Sequence, residues 1–399
     1  MRKFLNFFSV SLGILMTIGL LFFTIQLVTQ TSVYQADEQI AEATSMPTKA
    51  PTITLTGTDK TTTITSGDFS LTVTEPQPAN IPCFAPQFAP DGNRYLCRRG
   101  QPAREMWLGT LDKGITELLV KEVADYAWTP NGKEVVYTEW VDSKEKPLKM
   151  LDLDTGSVSE LGTSDLPYSM MQFTPAQELI YAQHGELRAA KLASDTGRTV
   201  ISQDQTITEI PPFNDDPLYQ ISFEFSPDGE RIAIAEGTYS NNTLAIVDRN
   251  TGKTIEISNE IGASLDAFSW SPDGRKLAYS IISKDDNQAE LWLVDADGSN
   301  PNLLTETNEQ MSYNFLNWLP NGKVILFVLI PTGGTNAIQE SIFQVIDSKG
   351  GEPQTLFTDG SYLQLIGNGN RLVFYREYYD ENSGRVSKSG YWIASLTFN

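Results

Sequence analysis

Histidine occurs once in this 399-residue chain, at His184, and cysteine twice, at Cys83 and Cys97. A closed zinc site needs four such ligands, so neither residue type can build one unaided. A nucleophilic serine needs a base beside it, and the single histidine lies in Gln183-His184-Gly185, a pair of residues suited to a tight hairpin turn rather than to catalysis. No G-x-S-x-G elbow, phosphate-binding loop or dinucleotide glycine fingerprint is present. Positive charge is also scarce, with 29 Lys and Arg against 50 Asp and Glu for a formal charge of −21. Such a surface repels phosphate backbones and argues against nucleic acid as a ligand, while keeping an exported protein soluble.

The one long apolar run lies at the start. Arg2 and Lys3 precede Phe7–Val28, an uncharged stretch close to the ~20 residues that cross a bilayer as a helix and longer than an ordinary signal-peptide core. The basic flank places residues 1–6 in the cytoplasm and the rest of the chain outside. The expectation is a single-pass protein of the cytoplasmic membrane, with an uncleaved anchor at 7–29. The one small-x-small site, Ala41-Glu42-Ala43, lies too far downstream for ordinary cleavage. Residues 30–67 are rich in Thr, Ser and Pro and read as a flexible linker. The next run, DFSLTVT at 68–74, alternates well enough to be a strand.

From residue 84 onward one pattern recurs: an apolar pair, Pro-Asp-Gly or Pro-Asn-Gly, then a β-rich run. The copies begin QFAPDGNRYLC at 87, AWTPNGKEVVYT at 127, QFTPAQELIYA at 172, EFSPDGERIAIA at 224, SWSPDGRKLAYS at 269, NWLPNGKVILFV at 317 and QLIGNGNRLVFY at 364. Counted from Pro90, the intervals are 40, 45, 52, 45, 48 and 47 residues. A period near 45 with short strands is that of propeller blades. Proline presets φ for the first corner of a turn, Asp or Asn suits the second, and glycine takes the positive φ that closes the hairpin. The expected fold is therefore all-β, a seven-bladed propeller of four-stranded antiparallel blades over 68–399. The seventh copy supplies only three strands, ending in YWIASLTFN, so the run at 68–74 is expected to pair there and close the ring. Cys83 and Cys97 then flank the first turn almost symmetrically, on the first two strands of blade 1. They are either two buried thiols or, as the hairpin spacing favours, a disulfide.

The segment SPDGRKLAYSIISKDDNQAELWLVDADGSNPNLLTE (271–306) resembles the TolB-type, WD40-like propeller repeat, and the resemblance extends over 84–399. It is similar also to the propeller domains of prolyl-oligopeptidase and dipeptidyl-peptidase-IV-like proteins. The resemblance implies the fold. It carries no function over, because TolB-type proteins have six blades and an N-terminal α/β domain, and the peptidases append a hydrolase domain for which these residues leave no room.

Connections between the first and second strands are uniformly tight, whereas those between the second and third are long and unlike one another, as at 139–147, 236–243, 281–290, 329–340 and 376–390. Variable loops on one rim of a rigid ring are where recognition sits. Trp140, Tyr239, Tyr378 and Tyr379 are the expected aromatic anchors for a protein or peptide partner of the envelope. That reading makes the chain non-enzymatic and without a cofactor. Two alternatives stay open. One is a carboxylate- or calcium-dependent hydrolase or lyase using Glu139, Glu236, Asp285 and Glu377 at the channel mouth; the other is a glycan or cell-wall binder stacking sugars on the rim aromatics. Asp295-Ala296-Asp297-Gly298-Ser299-Asn300 opens like a calcium loop but lacks its distal glutamate and reads as a hairpin turn.

Overall fold

The computed structural model describes residues 61–66, 69–100, 104–165, 171–195, 198–209, 219–238, 241–258, 264–282, 288–307, 311–331, 341–379 and 386–398. The 7–29 anchor and the 30–60 part of the linker lie outside the described residues. Seven antiparallel sheets succeed one another along the chain. Blade 1 is Phe84–Phe88, Arg94–Arg99, Glu105–Thr110 and Gly114–Val120, in that order from inner to outer strand. The inner strands of blades 2 to 7 are Val123–Trp128, Gln172–Phe173, Tyr219–Phe225, Ser264–Trp270, Met311–Trp318 and Ser361–Ile366. This is the seven-bladed propeller that the repeat spacing predicts.

Burial explains why each blade has this order. The second strand of blade 5, Lys276–Ile282, is buried along nearly its whole length because blades pack on both of its faces. Its third strand, Ala289–Asp295, alternates buried and half-buried, and its outer strand, Asn302–Glu306, is mostly exposed. Among the described residues the apolar side chains gather in seven clusters, and every cluster joins two consecutive blades. Ala278, Leu291 and Leu293 of blade 5, for example, pack on Tyr313, Leu316 and Phe327 of blade 6. No blade owns a core of its own.

Polar contacts repeat with the blades. Trp128 donates its Nε1–H to the Gln87 carbonyl at 3.0 Å, Trp270 to Glu224 at 3.0 Å, and Trp318 to Ser269 at 3.1 Å. Each indole thus bonds one inner strand to the inner strand before it. At the turns, the glycine N–H returns to the carbonyl three residues earlier, as from Gly274 to Ser271 at 2.8 Å, with φ of +68° at Gly274. Blade 3 lacks this glycine, and Gln177 takes the strained φ of +62° instead. The Ser271 hydroxyl holds the Asp273 carboxylate below its usual range. A register shift recurs between the third and outer strands of blades 1 to 6, adding twist at the periphery.

The ring closes through the seventh sheet. Phe69–Thr74 pairs with the third strand, Val386–Phe398, in the register Leu71↔Phe398, Thr72↔Thr397 and Val73↔Leu396. Leu71 and Val73 are buried, at 0% and 3% exposure. Thr61–Ser66, assigned above to the linker, corrects that boundary: it adds a fifth strand beside Phe69–Thr74, where its β-branched side chains suit the pleat and Ile64 is buried. Blade 7 then meets blade 1. Tyr391 accepts the Ala85 N–H at 2.8 Å, Gln364 donates to the Pro86 carbonyl at 2.9 Å, and Arg371 to Gly92 at 2.8 Å. A Cβ on Gly92 would lie 2.5 Å from the Gly367 nitrogen, so the two turns abut without room for a side chain.

Cys83 and Cys97 are joined as a disulfide, with Cα atoms 6.0 Å apart. Cys83 occupies a bend just before the inner strand rather than the strand itself, because the pairing shifts register between Phe84 and Gln87. The bond pins the segment that crosses from the closing strands into blade 1. In the chain-entropy account a loop of this length is worth about 3 kcal/mol.

One inner-strand acid bridges two blades. Glu224 of blade 4 accepts the Trp270 N–H at 3.2 Å and the Ser269 hydroxyl at 3.3 Å from blade 5. Burial outweighs these bonds and pushes its carboxyl up to about 7. The folded state therefore holds a proton that the unfolded chain releases near pH 4.5, and stability falls as pH rises from there through 7. Glu224→Gln is expected to flatten the urea midpoint across pH 5–7, a difference of about 2–3 kcal/mol between the ends of the window; an unchanged slope would assign the pH dependence elsewhere. A second expectation concerns closure. Starting the chain at residue 76 removes the burial of Leu71 and Val73, worth about 3–6 kcal/mol. Thermal unfolding should show a lower Tm for that chain and an unchanged one for a chain starting at residue 56.

Candidate functional site

The two faces of the ring differ in construction. On one, inner and second strands meet in the Pro-x-Gly turns, knitted from blade to blade by side chains such as Arg94, which donates to the Gly132 carbonyl at 2.7 Å. The third-to-outer turns share this face. In the turn at 295–300, Asp295 bonds Lys276 at 2.6 Å and Asn300 at 2.7 Å, and Asp297 accepts the Ser299 N–H at 3.0 Å. Its oxygens hold the turn together, as the hairpin reading expects.

The opposite face carries the second-to-third connections and the passages between blades. These are unlike one another: 100–104 in blade 1, 140–145 in blade 2, 184–185 in blade 3, 332–341 in blade 6 and 380–385 in blade 7. All five long connections are shorter than the sequence suggests, most of all in blades 4 and 7. In blade 4 the strands run to Thr238 and resume at Asn241, and in blade 7 they run to Tyr379 and resume at Val386. The hairpin arms extend because pairing satisfies backbone groups that a loop would leave to water. His184 and Gly185 close the blade 3 connection with φ of +57° and +78°, a two-residue hairpin between Gln183 and Glu186.

Trp140 lies on this face, half-buried at the end of the second strand of blade 2. Arg104 stacks over its ring with the guanidinium carbon 4.1 Å from the centroid, and the Lys146 ammonium lies 4.9 Å from it. Arg104 also pairs with Glu122 at 3.3 Å, and the Trp140 N–H donates to the Glu122 carbonyl, so blade 1, the passage to blade 2 and blade 2 are stitched together. Tyr378 and Tyr379 are strand residues rather than loop residues, opposite Lys388 and Val386. Tyr239 lies outside the described residues.

Of the acids proposed for the channel mouth, Glu139 and Glu236 have described side chains. Glu139 is paired with Lys149 at 2.7 Å in blade 2. Glu236 stands opposite Thr243 on the second strand of blade 4, and Glu377 opposite Ser389 on that of blade 7. Asp285 lies outside the described residues. Two inner-strand acids that bridge neighbouring blades, Glu224 and Asp125, were unforeseen. Asp125 is buried; it accepts the Met171 N–H of blade 3 at 3.3 Å and faces Arg98 of blade 1 at 3.5 Å. Among the described residues no group of three or more His, Cys, Asp or Glu side chains is placed to hold a metal ion. Among them too, no helix is long and apolar enough to cross a membrane.

No protein-family model matches the sequence, and no curated protein matches it. Solved structures do match. A prolyl endopeptidase superposes with a TM-score of 0.52 at 15% identity, over 82% of this chain and 50% of the other. The chain thus spans half the length of that peptidase. An oligogalacturonate lyase in complex with manganese gives 0.54 at 13% identity, over 84% and 96% of the two chains. TolB from Acinetobacter baumannii gives 0.42 at 14% identity, over 77% and 64%. The peptidase and the lyase share the fold and not one activity. What the chain has in common with them is the architecture, that of a β-propeller, built here from seven blades.

Proposed function

We propose that this chain is a non-enzymatic, membrane-anchored propeller outside the cytoplasm that binds a protein or peptide partner through the face bearing the unequal connections. The contrast between the two faces carries the reading. One is a ring of near-identical turns fixed by backbone geometry; on the other, connections differ in length and composition while the strands beneath them stay rigid, the usual construction of a recognition surface. Trp140, Tyr378 and Tyr379 stand at that face. The Cys83–Cys97 disulfide supports an oxidising compartment, and Arg2 and Lys3 before Phe7–Val28 support anchoring with the propeller outside.

The full chain, immobilised and presented with detergent-solubilised membranes, is expected to retain a defined partner. A variant carrying Trp140→Ala, Tyr378→Ala and Tyr379→Ala should lose it by about tenfold or more, as removal of interface aromatics does. Melting curves of the two must agree, since Trp140 also packs under Arg104. Equal retention by both would overturn the reading, and so would elution by soluble oligosaccharide, which assigns the face to a glycan. Protease added to sealed right-side-out vesicles is expected to remove the propeller; full protection would place it in the cytoplasm.

A further inference from the structure

Charge is not spread evenly around the ring. Residues 84–164, which form blades 1 and 2, hold 10 Lys and Arg against 13 Asp and Glu, whereas residues 165–399 hold 15 against 31. The cations of the first sector gather at the face with the unequal connections. Arg98 and Arg99 end the second strand of blade 1, Arg104 precedes its third strand, Lys121 lies in the passage to blade 2, and Lys146 opens the third strand of blade 2.

These cations are held largely by aromatic rings. Arg98 lies over Tyr126 at 5.4 Å, Arg99 over Trp107 at 5.8 Å, and Arg104 over Trp140 at 4.1 Å. A guanidinium stacked on a ring keeps its edge donors free for planar anions and loses little rotamer freedom on binding one. Three neighbouring carboxylates are engaged, while Asp142 and Glu145 in the 140–145 connection are exposed: Glu105 accepts the Trp107 indole N–H at 2.9 Å, Asp125 holds Met171 and Arg98, and Glu122 pairs with Arg104. Arg99 is exposed and makes no ion pair among the described residues.

Resting on the partner-binding reading, we infer that this sector is where the partner docks, and that the docking segment is an acidic peptide bound by Arg99 and Arg104. Carboxylates suit the guanidinium edges. The excess of acids on blades 3 to 7 repels such a segment from the rest of the ring and steers it to blades 1 and 2. Sugar stacking is disfavoured, because the Trp140 ring already carries Arg104 and the Trp107 ring Arg99.

Fluorescence anisotropy on the full chain in non-ionic detergent, with a labelled Asp- and Glu-rich peptide as probe, tests this. Binding is expected to weaken about tenfold as salt rises from low to physiological strength. It should weaken about tenfold again in Arg99→Glu with Arg104→Glu. Arg99→Lys should keep most of it, and Arg275→Glu, on the other face, should leave it unchanged. A matched Lys-rich peptide binding as tightly, or a charge-reversed variant binding as the parent does, would overturn the inference. Labelled oligogalacturonate bound in an Arg99-dependent way, with no peptide binding, would overturn it in favour of an acidic glycan. If the charge reversal changes nothing while the Trp140, Tyr378 and Tyr379 variant still loses its captured partner, the cationic sector falls and the rim reading stands.

Discussion

Everything in this molecule depends on burial between blades. A sheet with two apolar faces and no core of its own is stable only with a neighbour on each side, and seven such sheets have no free face only when the last packs on the first. The seam between blades 7 and 1 is therefore as demanding as any other interface, though the residues that meet there lie far apart in sequence. It is also reinforced several times over. Tyr391, Gln364 and Arg371 bond across it, Gly92 and Gly367 touch, and the disulfide fixes the strand that crosses it. Sharing the seventh sheet between both ends of the propeller makes closure cooperative, since the outermost strands of blade 7 form only when the C-terminal strand is in place.

Closure frees the two faces for separate tasks. The turn face is chemically uniform because its geometry is over-determined: proline sets one dihedral, glycine another, and Asp, Ser and Arg side chains bond what remains. A substitution there is felt by the next blade, as at Gly92. The other face has no such repeat to obey. Its connections need only join strand ends already held by the sheets, so they can vary in length, and side chains such as Arg104 and Trp140 can be organised by one another rather than by the fold. The same division leaves the acids of blades 3 to 7 free to set the field around the ring.

The blades were legible because their turns require residues with particular backbone freedom, and Pro-Asp-Gly at a fixed period announces that requirement. The closing strand was legible from alternation alone. Other features left no comparable mark. Thr61–Ser66 has the composition of a linker, and only the edge it pairs with makes it a strand. Tyr378 and Tyr379 follow an apolar run with no breaker between, yet the tyrosines and the charges after them read as loop; pairing with Lys388 and Val386 decides otherwise. Asp125 and Glu224 were not foreseen because their roles come from Met171, Ser269 and Trp270 on the next blade, some 45 residues away. Sequence periodicity locates a strand within its blade; it does not say which side chain of the next blade stands opposite.

The position of the seam bears on how the proposed anchor acts. The first described strand, Thr61–Ser66, lies on the outer edge of the sheet that closes the ring, so under the proposed anchoring a pull from the membrane would be delivered to the seam rather than to an interior blade. Strand pairs resist tension along their length through many hydrogen bonds at once, and Phe69–Thr74 shares its register with both Thr61–Ser66 and the C-terminal strand. The disulfide lies beyond that pairing, between the loaded strands and blade 1, where it keeps the crossing segment attached to its blade should the outer pair fray.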